Sequence, residues 1–160
     1  MWTVIESPIG PLRIVEQGGA ITAIEFSPFR DGTGRPLGDR VDDAAVLVAA
    51  ADQLAEYFAG DRTEFDLPLA PVGSQWQRSV WAQLLAIEYG ETASYGQIAL
   101  RLGKTNAASR AVGLANGANP IPIVIPCHRV IGANGTLTGY AGGLDRKQLL
   151  LDLERQDALF

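Results

Sequence analysis

Three apolar segments separated by glycine and proline form the beginning of the chain. They span residues 2–6, 12–17 and 20–27, and their apolar positions alternate imperfectly with polar ones. The breaks between them, Pro8-Ile9-Gly10-Pro11 and Gly18-Gly19, are typical of tight turns. This pattern predicts a short antiparallel meander of three strands. The glycine- and proline-rich residues 27–40 are interpreted as a surface loop.

The hydrophobic period then lengthens to that of a helix. Asp42 or Asp43 can cap a helix that reaches Ala59, with Gly60 as its stop. Its predicted apolar stripe is Val46, Ala50, Leu54, Tyr57 and Phe58. In residues 66–73, two prolines and a glycine interrupt any period, so we place a domain boundary there. The pattern thus predicts an N-terminal domain at 1–73 and a C-terminal domain at 74–160.

Two capping boxes mark helix starts in the second domain: Ser74 with Gln77, and Ser94 with Gln97. The first helix is expected to reach about residue 87. The side chains expected to be buried in it are Trp76, Val80, Trp81, Leu84 and Leu85. A second, short helix runs to residue 102, and a third covers 107–116. Two short helices joined by a glycine-containing turn predict a helix-turn-helix.

The third helix is rich in small residues, and Arg110 is its one charged side chain. A slim helix can enter a DNA groove closely, and a single arginine there can reach base edges or fill a gap in the base stack. The same pattern is equally consistent with tight packing on a neighbouring helix and a solvated arginine. The pattern of residues leaves both interpretations open.

The last third of the chain predicts a hairpin, a loop and a final helix. Asn134-Gly135, between segments 129–131 and 136–138, is a strong hairpin signal, so we expect a small wing. The glycine-rich loop 139–143 is wrongly patterned for a phosphate-binding motif. Its glycines could instead admit a flat ligand, with Tyr140 as a wall. The final helix is predicted over 146–155, with Leu149, Leu150 and Leu153 facing inward.

Composition and charge limit the possible functions. The chain has 47% apolar and 19% charged residues, which is typical of a globular protein. Residues 1–75 carry five arginines against twelve acidic side chains (net −7), whereas residues 76–160 carry eight basic against six acidic ones (net +2). Only the second half therefore suits a phosphate backbone. We expect no membrane span and no secretory signal, and a reactive thiol favours the cytoplasm.

The only cysteine of the chain, Cys127, is directly followed by its only histidine, His128. Such a thiol is a candidate nucleophile because the thiolate is the reactive form and a nearby base favours it. Neighbouring side chains diverge, so direct proton transfer between them is awkward, and this geometry favours a bridging water. His128 would also need a carboxylate to set its tautomer, and Glu154 on the final helix is the candidate. The competing interpretation is an inert, buried cysteine.

A metal site is not expected, because one cysteine and one histidine cannot build a structural zinc centre. No motif indicates a cofactor either. A thiol-based redox sensor would need a second cysteine to resolve a sulfenic acid, and the chain has none.

The segment Pro126-Cys127-His128-Arg129-Val130 resembles the signature of the O6-alkylguanine–DNA alkyltransferases. The resemblance is close from about residue 76 to residue 154 and looser before that. It includes the segments Ser94-Tyr95-Gly96-Gln97-Ile98-Ala99, Arg110-Ala111-Val112-Gly113, Asn119-Pro120 and Gly139-Tyr140-Ala141-Gly142-Gly143. Proteins of this family rotate an alkylated guanine out of the duplex and pass its O6-alkyl group irreversibly to the cysteine. The resemblance therefore implies a single-turnover methyltransferase that repairs DNA by direct reversal.

The resemblance also implies roles for the matched positions. Cys127 would accept the alkyl group, His128 would deprotonate it through a water, Glu154 would hold His128, and Asn119 would be a hinge next to the active-site turn. The positions implied to contact the substrate are Tyr95, Pro122, Val130, Tyr140, Ala141 and Gly142. The positions implied to contact DNA are Ser94, Ala107, Arg110 and Ala111. Among these, Arg110 would take the place of the extruded base.

The fold class that the resemblance implies is α/β. A ribonuclease-H-like antiparallel sheet with a helix would precede a winged-helix-like domain with the helix-turn-helix. The implied partner is double-stranded DNA carrying O6-alkylguanine, bound through its minor groove by a monomer. Activity on O4-alkylthymine and cooperative assembly along DNA stay open. The alternative is an alkyltransferase-like protein that binds lesions without transfer, although such relatives lack the cysteine.

Overall fold

The chain, analysed as a computed structural model that describes residues 1–30 and 37–158, divides after Pro71 into two compact units. In the first unit, β1 (Trp2–Ile5), β2 (Leu12–Gln17) and β3 (Ala20–Phe26) form an antiparallel sheet in the order β1-β2-β3. The predicted meander is thereby confirmed. Six residues of the predicted 27–40 loop, 31–36, lie outside the described residues.

Helix α1 (Ala45–Phe58) packs against this sheet. The predicted cap at Asp42 or Asp43 is wrong, because the helix begins after Ala44 and has no side-chain cap. The Asp42 carboxylate instead accepts hydrogen bonds from Thr3 Oγ1 (2.7 Å) and Arg40 Nε (2.9 Å). Of the apolar side chains of α1, those fully buried are Leu47, Ala50, Leu54 and Tyr57.

The second unit contains four helices and a short parallel strand pair among its described residues. The helices are α2 (Gln75–Leu84), α3 (Tyr95–Arg101), α4 (Ser109–Gly117) and α5 (Leu144–Ala158). The strands are β4 (Ala93–Ser94) and β5 (Val130–Ile131). Both predicted capping boxes are present, because Ser74 and Ser94 each accept from the backbone N–H three residues later while Gln77 and Gln97 bond back.

Helices α3 and α4 form the predicted helix-turn-helix, joined through a 3-10 turn at Asn106–Ala108. Two tryptophans of α2 donate hydrogen bonds to backbone carbonyls of α4. The indole N–H of Trp81 donates to the Ala115 carbonyl at 2.8 Å in a buried position, and that of Trp76 donates to the Ala111 carbonyl at 3.3 Å. The small residues of α4 thus allow close packing. The opposite face of the helix, which begins with Arg110 and Ala111, is exposed.

Two expectations for this unit are corrected. The predicted wing hairpin is absent from the described residues, since Val130–Ile131 pair in parallel with β4 and residues 136–138 form no strand. One hydrogen bond, from the Gly132 N–H to the Thr136 carbonyl (2.9 Å), closes the Asn-Gly turn instead. The second correction concerns exposure, because Leu85 and Leu149 lie at the surface rather than in the core.

Candidate active site

The segment that precedes the cysteine is buried and irregular, and hydrogen bonds of Asn119 stabilise it. Every residue from 119 to 130 is buried. The side-chain amide of Asn119 donates to the Ile125 carbonyl (2.8 Å), and its oxygen accepts from the Ile121 N–H (3.0 Å). Within this turn, Ile123 has φ = +73°, a left-handed conformation that is unfavourable for a β-branched residue. Cys127 follows this segment directly and begins a 3-10 turn that ends at Arg129.

The thiol of Cys127 is in its protonated form at rest. It is 4% exposed, and burial raises its pKa to about 11. Hydrogen bonds from Asn119 and Tyr140 and the positive charge of Lys147 oppose this effect and favour the thiolate, but they do not outweigh it. The thiol therefore needs a base before it can act as a nucleophile.

His128 is fully buried and is bound to Glu154. Its Nε2 lies 2.6 Å from Glu154 Oε2. Burial alone would raise the pKa of Glu154, but the hydrogen bonds and charges of His128 and Arg129 outweigh it and lower that pKa to about 2. Because the carboxylate is ionised and can only accept, Nε2 carries the proton of the imidazole.

The other ring nitrogen of His128, Nδ1, is a base. Burial lowers the pKa of His128, an effect that Glu154 opposes, so the ring is neutral near pH 7. With the proton on Nε2, Nδ1 has a free lone pair, and among the described residues no group hydrogen-bonds to it. The arrangement can therefore take a proton at Nδ1 while Glu154 stabilises the cation that forms.

Lys147 is a site residue that the sequence analysis missed. It is fully buried, and its Nζ donates to the carbonyls of Val130 (2.6 Å) and Thr138 (3.2 Å). The inward face of α5 consists of Lys147, Leu150, Leu151 and Glu154, which follow the i, i+3, i+4, i+7 spacing of one helix face. The seven-residue spacing from Glu154 was the signal that could have found Lys147.

The positions predicted to contact the substrate differ in how deeply they are buried. Tyr140 is close enough to hydrogen-bond with Cys127, and burial, together with that thiol, raises its pKa well above its usual value. Pro122 and Val130 are buried in the segment 119–130, whereas Ala141 is exposed and Gly142 is half-buried. The Gly142 carbonyl accepts from Arg146 Nη1 at 3.1 Å.

Tyr95 connects the helix-turn-helix to the loop before Tyr140. Its hydroxyl is hydrogen-bonded to Thr138 Oγ1 at 2.5 Å. Its ring lies against Gly113 of α4, where an added Cβ would be 3.6 Å from the ring. The ring of Tyr95 therefore reaches from α3 toward the segment that carries the pocket residues.

The positions predicted to contact DNA lie on the helix-turn-helix and not around the thiol. Ser94 is the N-cap of α3, and its hydroxyl is occupied by the Gln97 N–H (3.1 Å). Ala107, Arg110 and Ala111 are exposed along the 3-10 turn and the first turn of α4. Three of these four positions thus have exposed side chains, which are two alanine methyl groups and one guanidinium.

No metal or membrane feature is found in the described part of the chain. Among residues 1–30 and 37–158, no three metal-ligating side chains (His, Cys, Asp or Glu) come together as a cation site would require. None of the helices described there has the length and apolar character that crossing a membrane requires.

Comparison with known proteins assigns both units to one class of two-domain DNA methyltransferases. Residues 1–71 match the family profile described as the ribonuclease-like domain of 6-O-methylguanine DNA methyltransferase. Residues 75–156 match the profile described as the DNA binding domain of the same protein. The chain belongs to the 6-O-methylguanine DNA methyltransferase family, and its predicted α/β fold with a ribonuclease-like first part is confirmed.

Similar proteins cover nearly the whole chain. A methylated-DNA–protein-cysteine methyltransferase of Mycobacterium tuberculosis is 49% identical over 98% of this chain and 93% of its own length. One of Methanosarcina acetivorans is 48% identical over 96% and 97%, respectively. The crystal structure of the O6-methylguanine methyltransferase of M. tuberculosis superposes with a TM-score of 0.88 at 48% identity, covering 98% of this chain and 93% of that one. A structure of the M. tuberculosis protein in complex with DNA gives 0.87 at the same identity and coverage.

Proposed function

We propose that this chain repairs DNA by transferring the alkyl group of O6-alkylguanine irreversibly to Cys127. The observation that carries the proposal is the environment of the only cysteine of the chain: a buried thiol beside a neutral imidazole whose Nε2 is held by an ionised carboxylate. The membership of both units in the methyltransferase family supports it.

The proposed transfer is a displacement at the alkyl carbon. The proton of the Cys127 thiol passes through a water to Nδ1 of His128, and Glu154 stabilises the resulting imidazolium. The thiolate sulfur then bonds to the alkyl carbon while the bond from that carbon to O6 breaks and leaves its electron pair on the base. The imidazolium of His128 gives its added proton back to water, the guanine anion takes a proton from water at N1, and a thioether remains on the protein. The chain has no second cysteine that could remove the alkyl group, so each molecule acts once.

The base would enter a pocket between the cysteine segment and the loop that carries Tyr140. In this proposal the carbonyl of Val130 accepts from the exocyclic amine of guanine, and the N–H of Ala141 donates to O6. Tyr140, Gly142 and Pro122 line the pocket. The carbonyl of Val130 already accepts from Lys147, but a carbonyl oxygen has two lone pairs and can accept twice.

Double-stranded DNA would bind to the helix-turn-helix through its minor groove. The exposed small residues Ala107 and Ala111 allow a close approach of the helix, Ser94 lies beside the backbone, and Arg110 fills the gap that the extruded base leaves. Base flipping costs a few kcal/mol and is cheapest where pairing is already weak, as it is for O6-alkylguanine. Tyr95 would donate to N3 of the guanine or crowd its phosphate, and its hydroxyl must first leave Thr138.

The two domains would have different functions. Residues 74–160 would carry the chemistry and the DNA contacts, and residues 1–73 would be a scaffold, because the acidic first half repels phosphate. We propose that the protein acts as a monomer in the cytoplasm, where a free thiol stays reduced.

A stoichiometric repair assay tests the proposal. With excess methylated duplex, the amount of restored guanine should level off at one per protein molecule, and Cys127→Ser should restore none while still binding the duplex. Arg110→Ala should slow transfer from duplex DNA and leave transfer from free O6-benzylguanine unchanged. Repair beyond one equivalent, or repair by the serine variant, would contradict irreversible transfer to this cysteine. Binding without any transfer by the wild type would favour the lesion-binding alternative.

A further inference from the structure

The side chain of Arg129 makes three hydrogen bonds at the site, and the proposed transfer makes no use of it. Its Nε donates to Glu154 Oε1 (2.8 Å) and its Nη2 to Glu154 Oε2 (3.1 Å), so the two groups form a bidentate pair. Its Nη1 donates to the Ile87 carbonyl (2.6 Å), and its guanidinium carbon lies 5.7 Å from the ring centre of Tyr89. The side chain is 7% exposed.

These contacts make Glu154 Oε2 a shared acceptor. The same oxygen accepts from His128 Nε2 (2.6 Å) and from Arg129 Nη2 (3.1 Å). The carboxylate therefore already has a full positive charge beside it before the imidazole contributes one. Because Arg129 is anchored at Ile87 as well, it cannot follow Glu154 away from this arrangement.

We propose that Arg129 is a positioning residue for alkyl transfer, which neutralises and orients Glu154 so that His128 lies against it as a neutral imidazole with Nδ1 unprotonated. The inference rests on the proposed role of His128 as the base. It assigns to Arg129 a chemical task in addition to its structural one.

The physical reason for this role is the balance of charge between Glu154, Arg129 and His128. With Arg129 present, the negative charge of the Glu154 carboxylate and the positive charge of the guanidinium cancel, so His128 need not be charged. Without Arg129, an ionised Glu154 would be left buried with no full counter-charge beside it, and such a charge is costly. His128 is in direct contact and could supply the counter-charge by taking up a proton from solvent. Its Nδ1 would then already be protonated and could not accept the proton of the thiol.

The other groups around His128 do not replace this function. Lys147 is the second cation nearby, but its Nζ is bound to the carbonyls of Val130 and Thr138, and its charge acts against protonation of His128. Among the described residues, the other titratable groups that face this cluster are the thiol of Cys127, the hydroxyl of Tyr140 and, against Arg129, the ring of Tyr89. Burial raises the pKa of Cys127 and of Tyr140, so both are neutral near pH 7.

The test measures the ionisation of His128 directly, in the absence of DNA. Because the chain has one histidine, its ring protons give a single set of NMR signals that can be followed against pH in the full-length protein. We expect the wild-type ring to titrate below its ordinary pKa of about 6.5. In Arg129→Met the pKa should rise by about one unit or more, and transfer from O6-benzylguanine at pH 7 should fall with the neutral fraction of the ring, about twofold if the pKa reaches 7 and about tenfold if it reaches 8. Arg129→Lys should be intermediate, because lysine keeps the charge but lacks the planar fork.

The control variant is Arg155→Met. Arg155 is exposed, follows Glu154 on α5 and carries the same charge, so its loss should leave both the His128 titration and the transfer rate unchanged. A wild-type His128 that titrates above 6.5 would overturn the inference, even if Arg129→Met fails to fold. An Arg129→Met protein that folds with an unchanged His128 pKa would also overturn it. If the wild type transferred no alkyl group at all, the proposed function would fail while the NMR titration still decided the role of Arg129.

Discussion

Replacing His128 by glutamine removes the base and leaves the rest of the site in place. The glutamine Nε2 can donate to Glu154 as the imidazole Nε2 does, and the pair between Glu154 and Arg129 is untouched. We therefore expect His128→Gln to fold and to keep its cysteine buried. What it cannot do is accept the proton of the Cys127 thiol.

The size of the effect follows from the pKa of the thiol. With the Cys127 pKa at about 11, only about one molecule in 10⁴ is a thiolate at pH 7. Without a base, the reaction depends on this fraction. Removal of a positioned general base typically costs 10²- to 10⁴-fold in rate. We expect a loss in that range for His128→Gln at pH 7, with the larger values if the imidazole is the main route for the proton.

The assay is the single-turnover rate of transfer from a fluorescent O6-benzylguanine as a function of pH. The logarithm of the rate of His128→Gln should rise by about one for each pH unit until pH about 11, where the thiol ionises by itself. The wild-type rate should be nearly flat above the pKa of His128. A His128→Gln protein that reacts at the wild-type rate at pH 7, or whose rate does not depend on pH, would refute the reasoning.

Three further predictions concern stability, measured by urea denaturation. The pKa of Cys127 is raised in the folded protein, from 9.0 to about 11, so the stability due to the buried thiol is complete below pH 9. It should be lost as the pH rises toward 11, by about 3 kcal/mol, and Cys127→Ser should lack this loss. Ile123→Gly should be at least as stable as Ile123→Ala, because glycine tolerates φ = +73°, whereas at an ordinary site it costs about 0.5–1 kcal/mol relative to alanine. Trp81→Phe should cost about 1–3 kcal/mol through its buried bond to the Ala115 carbonyl, and Trp76→Phe, whose bond is exposed, should cost less.

Local sequence signals predicted most of the helices and the sheet. The capping boxes at Ser74 and Ser94 fix two helix starts because each supplies two hydrogen bonds within four residues, independent of the rest of the fold. Period-two alternation with glycine turns likewise fixed the meander. The pairing of His128 with Glu154 was also predicted, since a buried imidazole needs a carboxylate and the last helix offered one.

The failures concern features that depend on distant parts of the chain. The Asn-Gly turn at 134–135 forms, but its flanking segments do not pair, because Val130–Ile131 takes β4 as its partner. The inward face of α5 was misassigned because leucines were taken as the buried residues, whereas Lys147 and Glu154 are buried on the same face as Leu150. Buried charges are rare, and only their partners in space identify them. No local pattern could show that Arg129 would reach Ile87 and Glu154 together.

The most direct test of the account is mass spectrometry of the protein after reaction with duplex DNA carrying O6-(trideuteromethyl)guanine. We expect that the intact protein gains one labelled methyl group, located on the peptide with Cys127, and that unmodified guanine appears in equal amount. Continued release of the label, a label on another residue, or repaired DNA with an unlabelled protein would contradict it.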